Sequence, residues 1–250
     1  MIILAIWEAA FRVIGWKDYL FPAPSTIVRS LGGLLIPTAA QGGRPLLAAI
    51  AVSLLRLVMG FLLSIVLGAA LGLAMWRFRA LDNFFGPLFL GLQTLPSVCW
   101  VPLAVLLVGL NELGVLFVVV MGSFFAIAIT LRDGLRTIPP IYQRAGAMLG
   151  TSGWRMYRYV LLPASLPALA SSLRQGFSFA WRSLMGAELI FAVRYHGLGF
   201  LLATGRDLSD VAQVVGIMII MVLIGMAADR WAFAKIEARV ARQFGLTTPN

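Results

Sequence analysis

The sequence predicts an all-α fold of about six transmembrane helices, and three observations lead to this prediction. Hydrophobic residues make up 60% of the 250 residues, and the mean hydropathy is +0.93. Charged residues make up 12%, about half the roughly 25% that soluble domains carry. The apolar runs are continuous over helical lengths, whereas a transmembrane β-barrel alternates apolar and polar residues. At about 20 residues per crossing, residues 1–250 are expected to form one domain of five or six spans.

The apolar runs place six spans along the chain, at residues 1–16, 48–75, 84–109, 113–131, 164–192 and 211–230. The first run is the least typical, because Glu8 and Arg12 at i,i+4 spacing suit a helix lying along the membrane interface as well as one crossing it. This run also lacks a basic leading region and a small-residue cleavage site. We therefore expect it to be retained.

The distribution of basic residues predicts the orientation. The loops 76–83 and 132–163 and the tail from residue 230 lie on one side, and they carry two, five and four basic residues. The opposite side carries five basic residues, namely Lys17, Arg29, Arg44, Arg194 and Arg206. The positive-inside rule places the first side in the cytoplasm. The net charge of +10 is thus attributed to the loops that connect the spans, and no nucleic-acid partner is expected.

Two local patterns predict how the spans pack. Four small residues at four-residue spacing form one stripe of the span 48–75, namely Gly60, Ser64, Gly68 and Gly72. Such a stripe allows the backbone of a neighbouring helix to approach closely. Pro96 and Pro102 lie inside the span 84–109, where each removes a backbone donor and clashes with the preceding turn. A kink is therefore expected in that helix.

The predicted cytoplasmic loop over about 132–162 is too long to lack structure of its own. Pro139 and Pro140 can begin a helix, and Gly150 and Gly153 can end it through left-handed capping. One face of this short helix is apolar, formed by Ile141, Ala145, Met148 and Leu149. Two interpretations stay open from composition: a helix resting on lipid headgroups, or a docking helix for a soluble partner.

The spacing within this loop resembles that of the permease subunits of bacterial ABC importers, whose pattern is E-A-A, three residues, G, nine residues, I-x-L-P. The matching positions here are Arg144, Ala145, Gly146, Gly150, Val160, Leu162 and Pro163. Arg144 replaces the acid, Gly146 the second alanine and Val160 the isoleucine. Residues 53–75, 92–114 and 187–202 are similar to the corresponding segments of the nitrate, sulfonate and taurine branch of this family.

The resemblance implies a type I importer permease fold like that of the methionine importer, in a multi-pass protein of the bacterial inner membrane. It also implies a homodimeric pore, a periplasmic solute-binding protein that delivers the solute, and a coupling helix seated in each ATP-binding subunit. The coupling residues carried over are Arg144, Ala145, Gly146, Met148, Leu149, Gly150, Leu162 and Pro163.

The chain has two lysines, Lys17 and Lys235, and neither follows a glycine, so it contains no G-x-x-x-x-G-K phosphate loop. ATP and magnesium are therefore expected on a partner ATPase subunit. Cys99 and His196 are the only cysteine and histidine, which excludes an internal disulfide and a Cys/His metal cluster. No pattern resembles a Ser-His-Asp or Cys-His nucleophile. We expect a transport subunit without enzymatic chemistry, cofactor or metal.

Charged residues within spans are rare, and they usually face a bundle interior or a cavity. Arg56 and Arg174 lie near the ends of their spans and are expected to snorkel to an interface. Arg182 either faces a solute pathway, where it would favour an anion, or pairs with Glu188 or a backbone carbonyl. The candidate pathway residues are Arg182, Ser178, Glu188, Gln93 and Thr94.

The expected function is the membrane-spanning subunit of an ATP-driven importer of a small, anionic solute such as a sulfonate, taurine or nitrate. One alternative is a self-sufficient secondary carrier, although such carriers often contain internal repeats and none is evident here. A second alternative is a membrane anchor whose basic loops bind lipid.

Overall fold

The computed structural model describes residues 2–14, 22–36, 45–191 and 196–243, and no strand occurs among them. Lys17, Arg44 and Arg194 of the charge count lie outside these ranges. The helices are α1 Ile2–Ile14, α2 Pro24–Leu35, α3 Pro45–Arg77, α4 Arg79–Gln93, α5 Trp100–Val108, α6 Glu112–Arg136, α7 Pro140–Met148, α8 Gly153–Met156, α9 Leu162–Ala164, α10 Leu166–Ile190, α11 Leu198–Asp207, α12 Val211–Ala228 and α13 Ala234–Gln243.

Three helical segments are long and apolar enough to cross a membrane: α3, α6 and the continuous run Val211–Val240. This run joins α12 to α13 through π-helical turns at Asp229–Phe233. The spans predicted at 48–75, 113–131 and 211–230 are therefore confirmed as helices. The predicted span 84–109 is a broken pair, because α4 ends at Gln93 and α5 begins only at Trp100. Pro96 lies within this break, which is a larger disruption than the kink predicted.

Pro102 produces no kink, because it is the third residue of α5, where a missing backbone donor has no intrahelical partner to lose. Helix α10 has 25 residues, which is long enough for a crossing. Arg174, Arg182 and Glu188 make it less apolar than the three segments above. The described helix α1 has 13 residues, about 20 Å at 1.5 Å per residue. This is shorter than the roughly 30 Å hydrocarbon core, so the first predicted span is not confirmed.

Two helices lie where the sequence predicted loops. Helix α2 begins at Pro24, and the carboxylate of Glu8 in α1 accepts hydrogen bonds from the backbone N–H and the hydroxyl of Ser25 at 3.2 and 3.1 Å. This carboxylate therefore caps the N-terminus of α2. Glu8 also forms the predicted i,i+4 ion pair with Arg12 at 2.9 Å. The other unpredicted helix, α11, begins within the segment 187–202.

The chain divides into two compact units, each formed from three stretches. The first unit comprises Met1–Met59, Val98–Val118 and Arg182–Met226. Its buried apolar residues come from all three stretches and include Leu57, Val115, Leu184 and Ile217. Each stretch therefore contributes to one core.

The second unit comprises Gly60–Ser97, Val119–Trp181 and Ala227–Asn250. Here the small-residue stripe of α3 packs against α6, as predicted. A Cβ added at Gly72 would lie 2.7 Å from the carbonyl oxygen of Ala128, so only glycine fits. About two helical turns before Gly72 along α3, the Ser64 hydroxyl accepts a hydrogen bond from the Ser123 hydroxyl of α6 at 2.7 Å. Small residues and this hydrogen bond together hold the two helices at close range.

Candidate functional site

The predicted coupling segment contains the short helix α7. It begins at Pro140, as the sequence predicted, because proline lacks only a donor that the first turn would leave unpaired. The predicted apolar face points out of the chain: Met148 is 88% exposed, Leu149 is 84% exposed, and Ile141 and Ala145 are also exposed. Arg144 lies exposed on the same helix. An apolar face this exposed on a nine-residue helix is typical of a docking surface.

The end of α7 follows the predicted chemistry at one glycine and departs from it at the other. Gly150 has φ +77°, the left-handed conformation that ends helices. The N–H of Leu149 donates to the carbonyl of Ala145 at 3.1 Å, and the N–H of Gly150 donates to that of Ala147 at 3.0 Å. Gly153 was predicted to share this capping role. Gly153 does have the predicted left-handed conformation, with φ +53°, but it begins α8 and does not end α7.

Gly146 is the buried position of α7. Its carbonyl accepts hydrogen bonds from the backbone N–H of Thr151 at 3.0 Å and from the Thr151 hydroxyl at 2.6 Å. A Cβ at position 146 would lie 2.9 Å from both that hydroxyl and the sulfur of Met156. The glycine thus lets the following turn fold back closely onto α7. This contact gives a structural reason for the departure from the second alanine of the family pattern.

The chain continues from α8 into α10 through helical turns. A π-helical segment covers Tyr157–Leu161 and α9 covers Leu162–Ala164. The Ser165 hydroxyl donates to the carbonyl of Leu162 at 2.7 Å, and Leu161 is buried. Leu162 and Pro163, which were assigned to the coupling motif, are half-buried at this junction. The motif therefore ends where the chain enters the body of the second unit.

A second site lies in the first unit, where charged side chains form a buried cluster. Arg56 of α3 donates to Oε1 of Glu188 in α10 at 2.8 Å, and to both carboxylate oxygens of Glu112 in α6 at 2.6 and 2.7 Å. Arg56 is 4% exposed and Glu188 is 2% exposed. One guanidinium therefore links three helices of this unit by charge-assisted hydrogen bonds.

The same cluster caps α11. The N–H of Leu198 donates to the Ser53 hydroxyl oxygen at 2.8 Å, and the N–H of Gly199 donates to Oε2 of Glu188 at 3.0 Å. The Ser53 hydroxyl in turn donates to the same Oε2 at 2.7 Å. These N–H groups are among the first of the helix and have no intrahelical partner. Side chains from two distant helices thus satisfy them.

Two glycines make room for this carboxylate. A Cβ at Gly199 would lie 2.8 Å from the backbone carbonyl carbon of Glu188, and a Cβ at Gly197 would overlap the carboxylate of Glu188. The G-L-G of residues 197–199 therefore forms a cradle for the carboxylate of the A-E-L of residues 187–189. The sequence resemblance identified both segments, but it did not show that they contact each other.

These contacts change two sequence predictions. The prediction that Arg56 snorkels to an interface is wrong, because its guanidinium is buried between two carboxylates. Glu188 is a predicted pathway residue; it is buried and accepts three hydrogen bonds, from Ser53, Arg56 and Gly199, which give it a structural role in this unit. The missed partners are Ser53 and Glu112. The sequence offers one signal, for Glu112, which lies directly before the predicted span 113–131.

Arg174 is also paired. In the second unit its Nε and Nη2 donate to the two oxygens of Asp229 at 2.7 and 2.8 Å, and its Nη1 donates to Glu237 at 2.6 Å. Its side chain is 42% exposed, so the prediction that Arg174 snorkels to an interface stays a prediction. Asp229 lies at the end of the predicted span 211–230, and Glu237 lies in the predicted cytoplasmic tail. It is helical here, because α12 continues into α13.

The remaining candidates lie in two places. Gln93 and Thr94 are at the end of α4, where the Thr94 hydroxyl donates to the carbonyl of Gly91 at 2.6 Å. They therefore mark the break within the predicted span 84–109. Ser178 and Arg182 are both exposed on α10, four residues apart. Within the described residues, no group of three or more His, Cys, Asp or Glu side chains is placed to hold a metal ion.

The comparison with known proteins decides the family. A family model described as the binding-protein-dependent transport system inner membrane component matches residues 60–240. The chain belongs to this family. The permease is 33% identical over 179 residues to a putative ABC transporter permease protein of Methanocaldococcus jannaschii, over 72% of this chain and 67% of that protein. It is an inner-membrane protein, as the sequence predicted.

Other relatives carry the names of anion transporters. The permease is 24% identical to the nitrate import permease protein of a Synechocystis species, over 92% of this chain and 83% of that protein. It is 25% identical to the taurine transport system permease protein of Escherichia coli, over 89% and 80% of the two chains. These relatives confirm the predicted nitrate, sulfonate and taurine branch of ABC importer permeases.

Solved structures confirm the fold. An inward-facing MetNI methionine ABC transporter matches with a TM-score of 0.65 at 17% identity, over 78% of this chain and 95% of that chain. The permease therefore has the predicted all-α fold of the type I importer permeases. At this level of identity the match concerns the fold alone.

Proposed function

We propose that this permease forms the solute pathway of an ATP-driven importer of a small anion, and that α7 receives the work of ATP hydrolysis from a separate ATPase subunit. The observation that carries the proposal is the outward-facing apolar side of α7, with Met148 and Leu149 almost fully exposed. An apolar surface rimmed by polar residues is typical of a protein interface. The helix is also rigidly held, because Gly146 and Thr151 fix its C-terminal turn.

The ATPase must be a different chain, because this sequence has no phosphate-binding loop. ATP and its magnesium ion are thus assigned to the partner. A second copy of the permease and a periplasmic solute-binding protein complete the assembly in this proposal, which rests on the family and on the names of its relatives. An anionic solute is proposed because those relatives are named for nitrate and taurine, and because Arg182 lies exposed on α10.

Met148→Asp combined with Leu149→Asp tests the docking role. A charged side chain in an apolar interface loses burial and must be desolvated, so we expect the ATPase subunit to be lost from the purified complex. Leu208→Asp is the matched control, because Leu208 is 72% exposed but lies beyond α11. Retention of the ATPase by the double variant at the control's level would refute the docking role of α7.

Arg182→Ala tests the solute's charge. If Arg182 attracts the anion, this variant lowers transport while the ATPase still co-purifies and the complex still assembles. Arg182→Lys should retain part of the activity, because it keeps the charge but not the bidentate geometry. Normal transport by Arg182→Ala would exclude Arg182 as a solute contact and leave the docking role of α7 unaffected.

A further inference from the structure

The side chains that are exposed along the middle of α10 are polar, whereas Leu166 and Ile190 at its two ends are exposed and apolar. Between Pro167 and Leu189 the exposed side chains are Ser171, Gln175, Ser178 and Arg182. Their spacing of four, three and four residues places them on one face of the helix. We call these residues the polar stripe.

The exposed face of α3 has the opposite character. Within the second unit it presents Leu62, Leu63, Val66 and Leu67. Such side chains suit contact with lipid, whereas polar and charged side chains exposed to hydrocarbon cost free energy. The polar stripe therefore suits contact with water or with another polar surface.

A cavity lies against the stripe in the second unit. It has a volume of about 400 Å³, and every residue that lines it is polar. Ser171, Gln175 and Ser178 of α10 form one part of the lining, and Thr130 of α6 contributes a further hydroxyl. This volume lies within the roughly 300–1,000 Å³ range of small-molecule sites. Asp229 lines the cavity from the end of the predicted span 211–230 and Glu237 lines it from the predicted tail, whose basic residues predict a cytoplasmic location.

The charges on the cavity wall do not favour retention of an anion. Arg174 lines the cavity, but Asp229 and Glu237 line it too, and both are bound to the guanidinium. One positive and two negative charges leave a net charge of −1 at this wall. Hydroxyl and amide groups can bind an anion weakly, while the excess carboxylate repels it.

We propose that the polar stripe is a water-exposed wall of the solute pathway and that the cavity beside Arg174 is a release chamber, in which the excess carboxylate disfavours rebinding of the anion. This inference rests on the proposed function, because it assumes that an anion passes through the permease. It assigns a repulsive electrostatic role to the cluster that Arg174 forms with Asp229 and Glu237.

Thiol labelling tests the inference without knowledge of the solute. In a Cys99→Ser background, single variants Ser171→Cys, Gln175→Cys and Ser178→Cys are exposed to membrane-impermeant methanethiosulfonates in native membranes that contain the assembled transporter. All three thiols should be labelled from the side that carries the basic loops. Val66→Cys, an exposed position on the apolar face of α3, should be labelled much more slowly. No labelling along the stripe, or equal labelling at Val66→Cys, would overturn the proposal that the stripe faces water.

The charge of the reagent tests the release chamber. The labelling rate with the trimethylammonium reagent is divided by the rate with the sulfonate reagent. We expect this ratio to be higher for Gln175→Cys than for a small free thiol. Adding Asp229→Asn removes the excess negative charge, and we expect this ratio to fall by about fivefold. An unchanged ratio would overturn the electrostatic part of the proposal. Co-purification of the ATPase is measured on the same membranes, so a failure of the proposed function is recorded separately from a failure of the stripe.

Discussion

Arg56 and Arg174 are two of the arginines that each bind two carboxylates, yet their surroundings differ. Arg56 is buried with Glu188 in the first unit, whereas the side chain of Arg174 is 42% exposed in the second unit. Removing one partner from a buried ion pair strands a charge and costs about 3–5 kcal/mol, while exposed pairs contribute about 0–1 kcal/mol. The same chemistry therefore serves structure at Arg56 and local electrostatic potential at Arg174.

The largest expected effect is that of Glu188→Ala. It leaves the Arg56 guanidinium with one partner and removes the acceptor for the Ser53 hydroxyl and the Gly199 N–H. We expect the free energy of unfolding to fall by about 3–5 kcal/mol, measured by thermal unfolding of the purified complex in detergent. Glu188→Gln keeps an acceptor and should cost less. Wild-type stability of Glu188→Ala would show that the buried cluster is not structural.

Gly199→Ala tests the cradle directly. The added methyl group would meet the backbone of Glu188, which cannot move aside as a flexible side-chain end can, so we expect a loss of about 1–3 kcal/mol. Gly91→Ala is the matched control, since Gly91 is helical and a Cβ there meets nothing within 4 Å. The same assay applies to both. Equal stability of the two variants would contradict the close packing of residues 197–199 on Glu188.

Glu112→Gln should give an intermediate result. The Glu112 side chain is 39% exposed, so water can replace part of what the ion pair provides, and Arg56 keeps Glu188 as a partner. We expect a loss of about 1–2 kcal/mol in the free energy of unfolding. A cost equal to that of Glu188→Ala would mean that the exposed carboxylate matters as much as the buried one, which would remove the contrast based on burial.

The smallest effect on stability is expected for Asp229→Asn. Asp229 and Arg174 are both more than a third exposed, and Glu237 still pairs with the guanidinium. The free energy of unfolding should change by less than about 1 kcal/mol, although the charge of the cavity changes. A loss comparable to that of Glu188→Ala would show that the Arg174 cluster is structural too.

Local patterns predicted much of the fold. Three features depend on neighbouring residues or on a regular repeat, and the sequence predicted each of them. They are the proline start of α7, the left-handed Gly150 and the close packing of the Gly68–Gly72 stripe on a neighbouring helix. The partners of Arg56 were not predicted, because Glu112 and Glu188 lie 56 and 132 residues away along the chain and no local spacing encodes these contacts. Helix α11 was missed for the same reason, since its cap comes from distant helices.

The polar face of α10 shows another limit of the sequence. Periodicity places Ser178 and Arg182 on one face of a helix, but it does not show whether that face packs inward or outward. The structure shows it exposed, and only then does the contrast with the apolar face of α3 appear. Arg174 lies on the same helix, yet its role depends on Asp229 in another predicted span and on Glu237 in the predicted tail.

Solute uptake in proteoliposomes tests the central claim most directly. The permease reconstituted alone is compared with the permease reconstituted with its ATPase subunit, internal ATP and magnesium, and the solute-binding protein with labelled anion. We predict uptake only in the complete system, and its loss when Met148→Asp and Leu149→Asp prevent docking. Uptake at the full rate by the permease alone would contradict the account and identify a self-sufficient carrier.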